Sequence, residues 1–231
     1  MDKIKVIAFD ADDTLWVNEP YYQEAEKSYC KLLENHLPTT DISGELFKTE
    51  IANIAKYGFG VKGFVLSMIE TAIRISKREV SAEKIEAILN IGKELLEKPV
   101  ELLADIDFVL SNLKSNYILV VATKGDLLDQ HRKLNSSGLL HHFHHVEIMN
   151  DKNDAEYHKL LKRLDIKNEE FLMVGNSLKS DVLPVLSIGG KAIHIPYHIT
   201  WAHENSEKHE ADGKYHEIEK VIELLRIMPK K

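Results

Sequence analysis

The segment Val6-Ile-Ala-Phe9 is apolar without alternation and runs straight into acids at Asp10, Asp12 and Asp13. An unbroken apolar run of this length fits a strand covered on both faces, as in a parallel sheet flanked by helices. One such strand cannot stand alone, so the rest of the chain must supply parallel partners and crossover helices. The acids then emerge at the strand's carboxyl end, where open α/β sheets bind ligands.

The partners are expected after Pro99. Periodicity predicts a helix over Leu102–Leu113, a strand over Tyr117–Ala122, a helix over Leu127–Leu134 and a strand over His145–Met149. A helix over Glu156–Leu164, a strand over Phe171–Val174 and a helix from Ser180 follow, then a strand over Ala192–Ile195 and a last helix over Glu217–Leu225. Alternating strand and helix imply an α/β fold, a Rossmann-like parallel sheet wrapped by helices. Between Trp16 and Glu97 apolar residues instead recur at helical spacing in four segments, Tyr21–His36, Glu45–Tyr57, Phe64–Ile75 and Glu83–Leu96. The expected organisation is therefore a core of residues 1–15 and 98–231, with an α-helical insertion at 16–97 over the sheet's ligand-binding end.

Composition narrows the partners. Among 231 residues the formal net charge is -7, which disfavours a sequence-independent nucleic-acid binder, since that role needs a basic face to displace counterions. Cys30 is the single cysteine, so no intrachain disulfide can form. No apolar run approaches membrane-spanning length, and Asp10 interrupts the first one too early for a signal peptide. A cytoplasmic chain acting on a small molecule is expected, with no membrane or nucleic-acid partner and an open oligomeric state.

Three further polar positions fall at or just beyond predicted strand ends: Thr123 with Lys124, Lys152, and the stretch Gly175-Asn176-Ser177 with Asp181. Singly, each has an ordinary structural reading as a strand-end threonine, a surface lysine or a turn. Their order, each at a strand exit, argues for one shared crevice. The sequence resembles the haloacid dehalogenase superfamily, whose first motif, Asp-x-Asp-x-Thr, is met by Asp10, Asp12 and Thr14. Thr123 meets its second motif and Lys152 its third, Lys159 being a weaker fit inside a helix. The fourth motif usually opens Gly-Asp, and here Asn176 replaces that acid.

The resemblance implies a Mg²⁺-dependent phosphatase acting on a small phosphorylated metabolite. Asp10 would attack phosphorus and Asp12 would protonate the leaving group and then activate water. Thr123, Lys124 and Lys152 would bind the phosphoryl group. Asp10, Asn176, Asp181 and the backbone of Asp12 would hold Mg²⁺, the cation suited to an all-oxygen site. The helical insertion is the type of cap that sets substrate choice, with Phe59 and Lys62 in the Tyr57–Gly63 segment as candidate contacts, a simple interhelical turn being the equal alternative, and the Tyr197–Trp201 loop as the next place to look. A metal-independent dehalogenase, a phosphomutase and a non-catalytic regulatory protein are the alternatives. Asp12 counts against the first, and Asn176 favours the last. The run His141-His-Phe-His-His145 could bind Zn²⁺ or copper, but lacks a cysteine or a nearby acid at ligand spacing before Glu147, so solvent-facing loop histidines are expected. His194, His198 and His203 flank the late loop without a role that the chemistry requires.

Overall fold

The computed structural model describes residues 1, 3–204, 213 and 215–228. The chain runs through β1 (Val6–Phe9), then the helices α1 (Glu19–Leu33), α2 (Thr39–Tyr57), α3 (Val61–Ile75) and α4 (Ala82–Glu97). From there α5 (Ile106–Leu113), β2 (Ile118–Lys124), α6 (Leu127–Ser136), β3 (His145–Met149), α7 (Asp154–Leu164) and β4 (Phe171–Gly175) alternate. The last elements are α8 (Leu183–Ser187), β5 (Lys191–His194), β6 (His216–Glu217) and α9 (Leu224–Ile227). Contacts gather these into two compact units, Met1–Glu19 with Val100–Lys124 and Gln130–Lys231, and Pro20–Pro99 with Gly125–Asp129.

The first unit is built on a six-stranded sheet in the order β3-β2-β1-β4-β5-β6. Every pairing is parallel. The central strands are apolar on both faces because both are covered. Ile7, Phe9, Leu119, Val121, Leu172 and Val174 pack with Ile106, Val109 and Leu110 of α5 and with Leu224 of α9. Val6, Ala8, Val120, Ala122 and Met173 pack with Tyr157, Leu160 and Leu161 of α7 and Val185 of α8. Each fully buried aliphatic or aromatic side chain contributes about 1.5–3 kcal/mol, so the alternate residues of β1 secure the sheet from two sides.

The second unit is helical, with a core of Tyr29, Leu33, Ile42, Leu46, Phe64, Met68, Ile88 and Leu95. The buried Tyr29 hydroxyl donates to the Met68 carbonyl at 2.9 Å. Gly58 and Gly60, at φ 70° and 102°, form the turn between α2 and α3, a conformation that side chains bearing a Cβ disfavour. In the same unit Lys62 Nζ pairs with Asp126 Oδ2 at 2.9 Å.

Four elements differ from the sequence expectation. α5 starts at Ile106 rather than Leu102, since Leu102 instead forms a bridge with Trp16. α2 starts at Thr39 rather than Glu45, because its first turns are polar apart from the buried Ile42 and leave little apolar period to detect. After β4 the chain makes a π-helical turn, Leu178–Val182, before α8. Pro184 has no N–H to give the Ser180 carbonyl, which instead accepts from the buried Tyr157 hydroxyl at 3.0 Å. The helix expected from Glu217 is a short strand, β6, whose His216 and Glu217 pair with Ile193 and His194, and α9 follows only at Leu224. Among the described residues, no helix is long and apolar enough to cross a membrane.

Candidate active site

Polar residues gather at the carboxyl ends of β1, β2 and β4. Asp10 keeps strand register by donating its N–H to the Val174 carbonyl at 2.9 Å, and the chain then turns sharply. The Ala11 carbonyl accepts from the N–H groups of Thr14 and Leu15 at 3.2 and 2.8 Å, and Asp13 takes a left-handed conformation at φ 60°. The turn sends three neighbouring carboxylates into three environments.

Asp10 is buried. Its Oδ1 accepts from Lys152 Nζ, and its Oδ2 accepts from the Thr14 hydroxyl at 3.1 Å. The same hydroxyl lies 3.4 Å from the Asn176 amide oxygen. Lys152 Nζ also donates to Asp181 Oδ1 at 2.6 Å. Burial pushes the Asp10 carboxyl above its ordinary range, Lys152 pulls the other way and Asp181 adds to the rise. Burial disfavours the Lys152 ammonium too, yet Asp10 and Asp181 outweigh it and hold the proton more firmly than usual. One buried ammonium faces two buried carboxylates, which leaves negative charge uncompensated.

Asp12 turns elsewhere. Its carboxylate accepts from Lys133 Nζ at 2.6 Å, Gln130 Nε2 at 2.7 Å and Trp16 Nε1 at 2.7 Å. Burial pushes this carboxyl up, but Lys133, with the other two donors, brings it below the ordinary range. Asp13 accepts from the backbone N–H groups of Asn18 and Glu19 where α1 begins. Burial raises its carboxyl to about 7 despite those bonds, with Asp12 adding to the rise.

Local sequence explains the placing of Lys152 and Asp181. Asn153 caps α7 by accepting from the Glu156 N–H at 3.2 Å, which fixes Lys152 as the residue just outside the helix. Asp181 is held by the Ser177 N–H on its Oδ2 at 3.0 Å. Gly175 makes room for it, since a Cβ there would overlap the Asp181 carboxylate. The oxygens of Asp10, Asn176 and Asp181 thus share partners, with no nitrogen or sulfur ligand among them, and fit a hard divalent cation.

The remaining predicted residues divide. Thr123 is buried at the end of β2, its hydroxyl 3.5 Å from the Lys124 carbonyl. Lys124 Nζ is engaged by Glu204 and Ser180 rather than by Asp10. Lys159 forms an exposed pair with Glu156 at 2.6 Å. Phe59 and Lys62 lie in the helical unit. His142 is buried and faces Asp107 at 2.8 Å, unlike the solvent-facing histidine expected. With His141 these two form a cluster whose ligand atoms lie within 4.8 Å. Among the described residues the buried His142 Nδ1 has no partner, so a metal on Nε2 would leave a buried N–H unsatisfied there.

Sequence reasoning missed Trp16, Gln130, Lys133, His194 as a loop support, and Glu204. His194 Nε2 meets the Asn176 carbonyl at 3.0 Å and its Nδ1 meets Glu217 at 3.0 Å. Gln130 and Lys133 stand three residues apart on α6 and are buried, while Leu127 and Leu128 are exposed, so this helix turns polar atoms inward.

The model of the haloacid dehalogenase-like hydrolase family matches residues 4–189. A haloacid dehalogenase-like family hydrolase from Xanthomonas campestris superposes with a TM-score of 0.86 at 36% identity, covering 96% of this chain and 88% of that one. A glyceraldehyde 3-phosphate phosphatase from Pyrococcus furiosus is 25% identical over 97% of this chain and 94% of its own. Another of that name, from Methanothermobacter thermautotrophicus, is 26% identical over 97% of this chain and 100% of its own.

Proposed function

Because the chain belongs to the haloacid dehalogenase-like hydrolases, we propose that it hydrolyses a small phosphate monoester, with Asp10 as nucleophile and Asp12 as the proton carrier. The observation that supports this most is the separation of two carboxylates two residues apart, Asp10 sharing Lys152 with Asp181 while Asp12 is held by Lys133, Gln130 and Trp16. Two titratable groups in contrasting environments are what a divided acid–base and nucleophilic task needs.

In the first step an Asp10 oxygen bonds to phosphorus as the ester P–O bond breaks, and the departing alkoxide takes a proton from Asp12. In the second, Asp12 removes a proton from water, which attacks phosphorus and frees phosphate and Asp10. Lys152 restrains Asp10 and offsets phosphoryl charge, and Thr123 donates to a phosphoryl oxygen. We assign Mg²⁺ to Asp10, Asn176, Asp181 and the Asp12 carbonyl, where its charge would favour the ionised nucleophile and neutralise the incoming dianion. Asp12 would have to gain a proton before it serves as acid, and so turn from its ion pair with Lys133 once substrate is bound.

Both phosphatase relatives act, by name, on glyceraldehyde 3-phosphate. That ester therefore heads the panel, beside other three-carbon phosphates, sugar phosphates and nucleotides. Phosphate release with added Mg²⁺, stopped by a chelator, is the expected result. Halide release from 2-haloacids without metal, and no phosphate from any ester, would overturn the proposal in favour of a dehalogenase.

A further inference from the structure

Glu204 closes a 3-10 turn, Ala202–Glu204, in the stretch after β5, and its carboxylate is satisfied at both oxygens. Oε1 accepts from Lys124 Nζ at 2.5 Å. Oε2 accepts from the hydroxyls of Ser177 at 2.5 Å and Ser180 at 2.6 Å. Lys124 Nζ also donates to Ser180 Oγ at 2.9 Å, which closes the ring of contacts. One residue away, the His203 carbonyl accepts from Lys179 Nζ at 2.9 Å. The turn is thus bound to the end of β2 and to the loop after β4.

Each of those attachments continues to a reacting or metal-holding group. The Lys124 carbonyl accepts from Gln130 Nε2 at 3.0 Å, and the same amide group holds Asp12. Ser177 supplies the N–H that fixes Asp181 Oδ2. The Lys124 and Glu204 side chains are only 16% and 12% exposed, so either charge left alone would be largely buried and uncompensated. With three donors already on its oxygens, one of them an ammonium, this carboxylate is suited to tethering rather than to binding a further cation.

We propose that Glu204 is a positioning residue for hydrolysis. It holds Lys124 and the Ser177–Asp181 turn against one another, and through Gln130 and Ser177 it fixes where Asp12 and Asp181 stand. It touches none of the reacting atoms. The inference rests on the phosphatase reading for its effect on turnover, but the tether itself can be read without substrate.

The test combines Glu204→Gln, which keeps the shape and removes the charge, with Lys124→Met, singly and together. Amide hydrogen exchange across residues 176–182 should quicken about tenfold in each single variant and little further in the double, because both remove one tether. With Mg²⁺ and any ester that the parent hydrolyses, each single variant should lower kcat by about ten- to thirtyfold with a smaller change in KM. The double variant should fall within about threefold of the worse single one. Parent-like exchange over 176–182 in Glu204→Gln overturns the proposal, as do losses in kcat that multiply in the double variant. If Glu204→Gln does not accumulate folded, Glu204→Asp, which keeps the charge and shortens the reach, should quicken exchange by a smaller factor, and no change there overturns the proposal equally. A parent that releases phosphate from no ester defeats the phosphatase reading instead, while the exchange result still decides the tether.

Discussion

Asp10, Asp12 and Asp13 show how far three identical groups separate when a turn gives each different neighbours. Lys152 and Asp181 surround the first, Lys133 the second, and backbone N–H groups the third. Glu204 follows the same rule with a testable consequence for stability. Burial pushes its carboxyl up, but Lys124 and the hydroxyls of Ser177 and Ser180 bring it down to about 2. A folded value below the unfolded one means that the carboxylate stabilises the protein above the unfolded pKa of about 4.3, and that this is lost as pH falls toward 2. Glu204→Gln should therefore be less stable than the parent at pH 7, by on the order of 1–3 kcal/mol, with the gap closing between about pH 4.5 and 2.5. Urea midpoints for both proteins at pH 7, 5 and 3 check this, and a gap that stays constant with pH would refute it. The motif carboxylates were legible in the sequence because they follow an apolar strand at fixed spacing. Their partners Trp16, Gln130, Lys133 and Glu204 were not, since which side of α6 faces inward and where the chain returns after β5 depend on tertiary packing.

At the scale of elements, the sheet was readable because its central strands are apolar on both faces, which leaves no competing helical period. β6 escaped notice because it is two polar residues at a sheet edge, His216 and Glu217. The π-helical turn after β4 escaped for another reason. Its geometry depends on Pro184 lacking a donor and on Tyr157 supplying one from α7, a pairing that no local pattern encodes. The close fit of that turn against β4 makes Gly175 indispensable, as an added methyl would meet the Asp181 carboxylate and carbon atoms. Gly175→Ala should lower kcat/KM at least tenfold by displacing Asp181, and cost about 1–3 kcal/mol through overpacking. Steady-state kinetics beside a denaturation curve measures both, and parent-like values for the two would show that the turn shifts without consequence.

Across the whole molecule, a parallel sheet gathers the ends of β1, β3 and β4 so that residues far apart in sequence, Asp10, Lys152 and Asp181, meet in one buried cluster. The family match spans most of that sheet and the helical unit alike. The resemblance was legible from four short motifs. The choice of ester was not, because it is made by surfaces whose side chains no motif specifies. What the proposed chemistry requires above all is a phosphoryl group carried covalently on one aspartate between two displacement steps. Acid-quenching the protein during steady-state turnover with Mg²⁺, followed by mass spectrometry of its peptides, looks for that group directly. A phosphoryl adduct on Asp10, present in the parent and lost in Asp10→Asn together with turnover, is the expected result. An Asp10→Asn protein that still releases phosphate at within a few-fold of the parent rate, or an adduct on any residue other than Asp10, would contradict it.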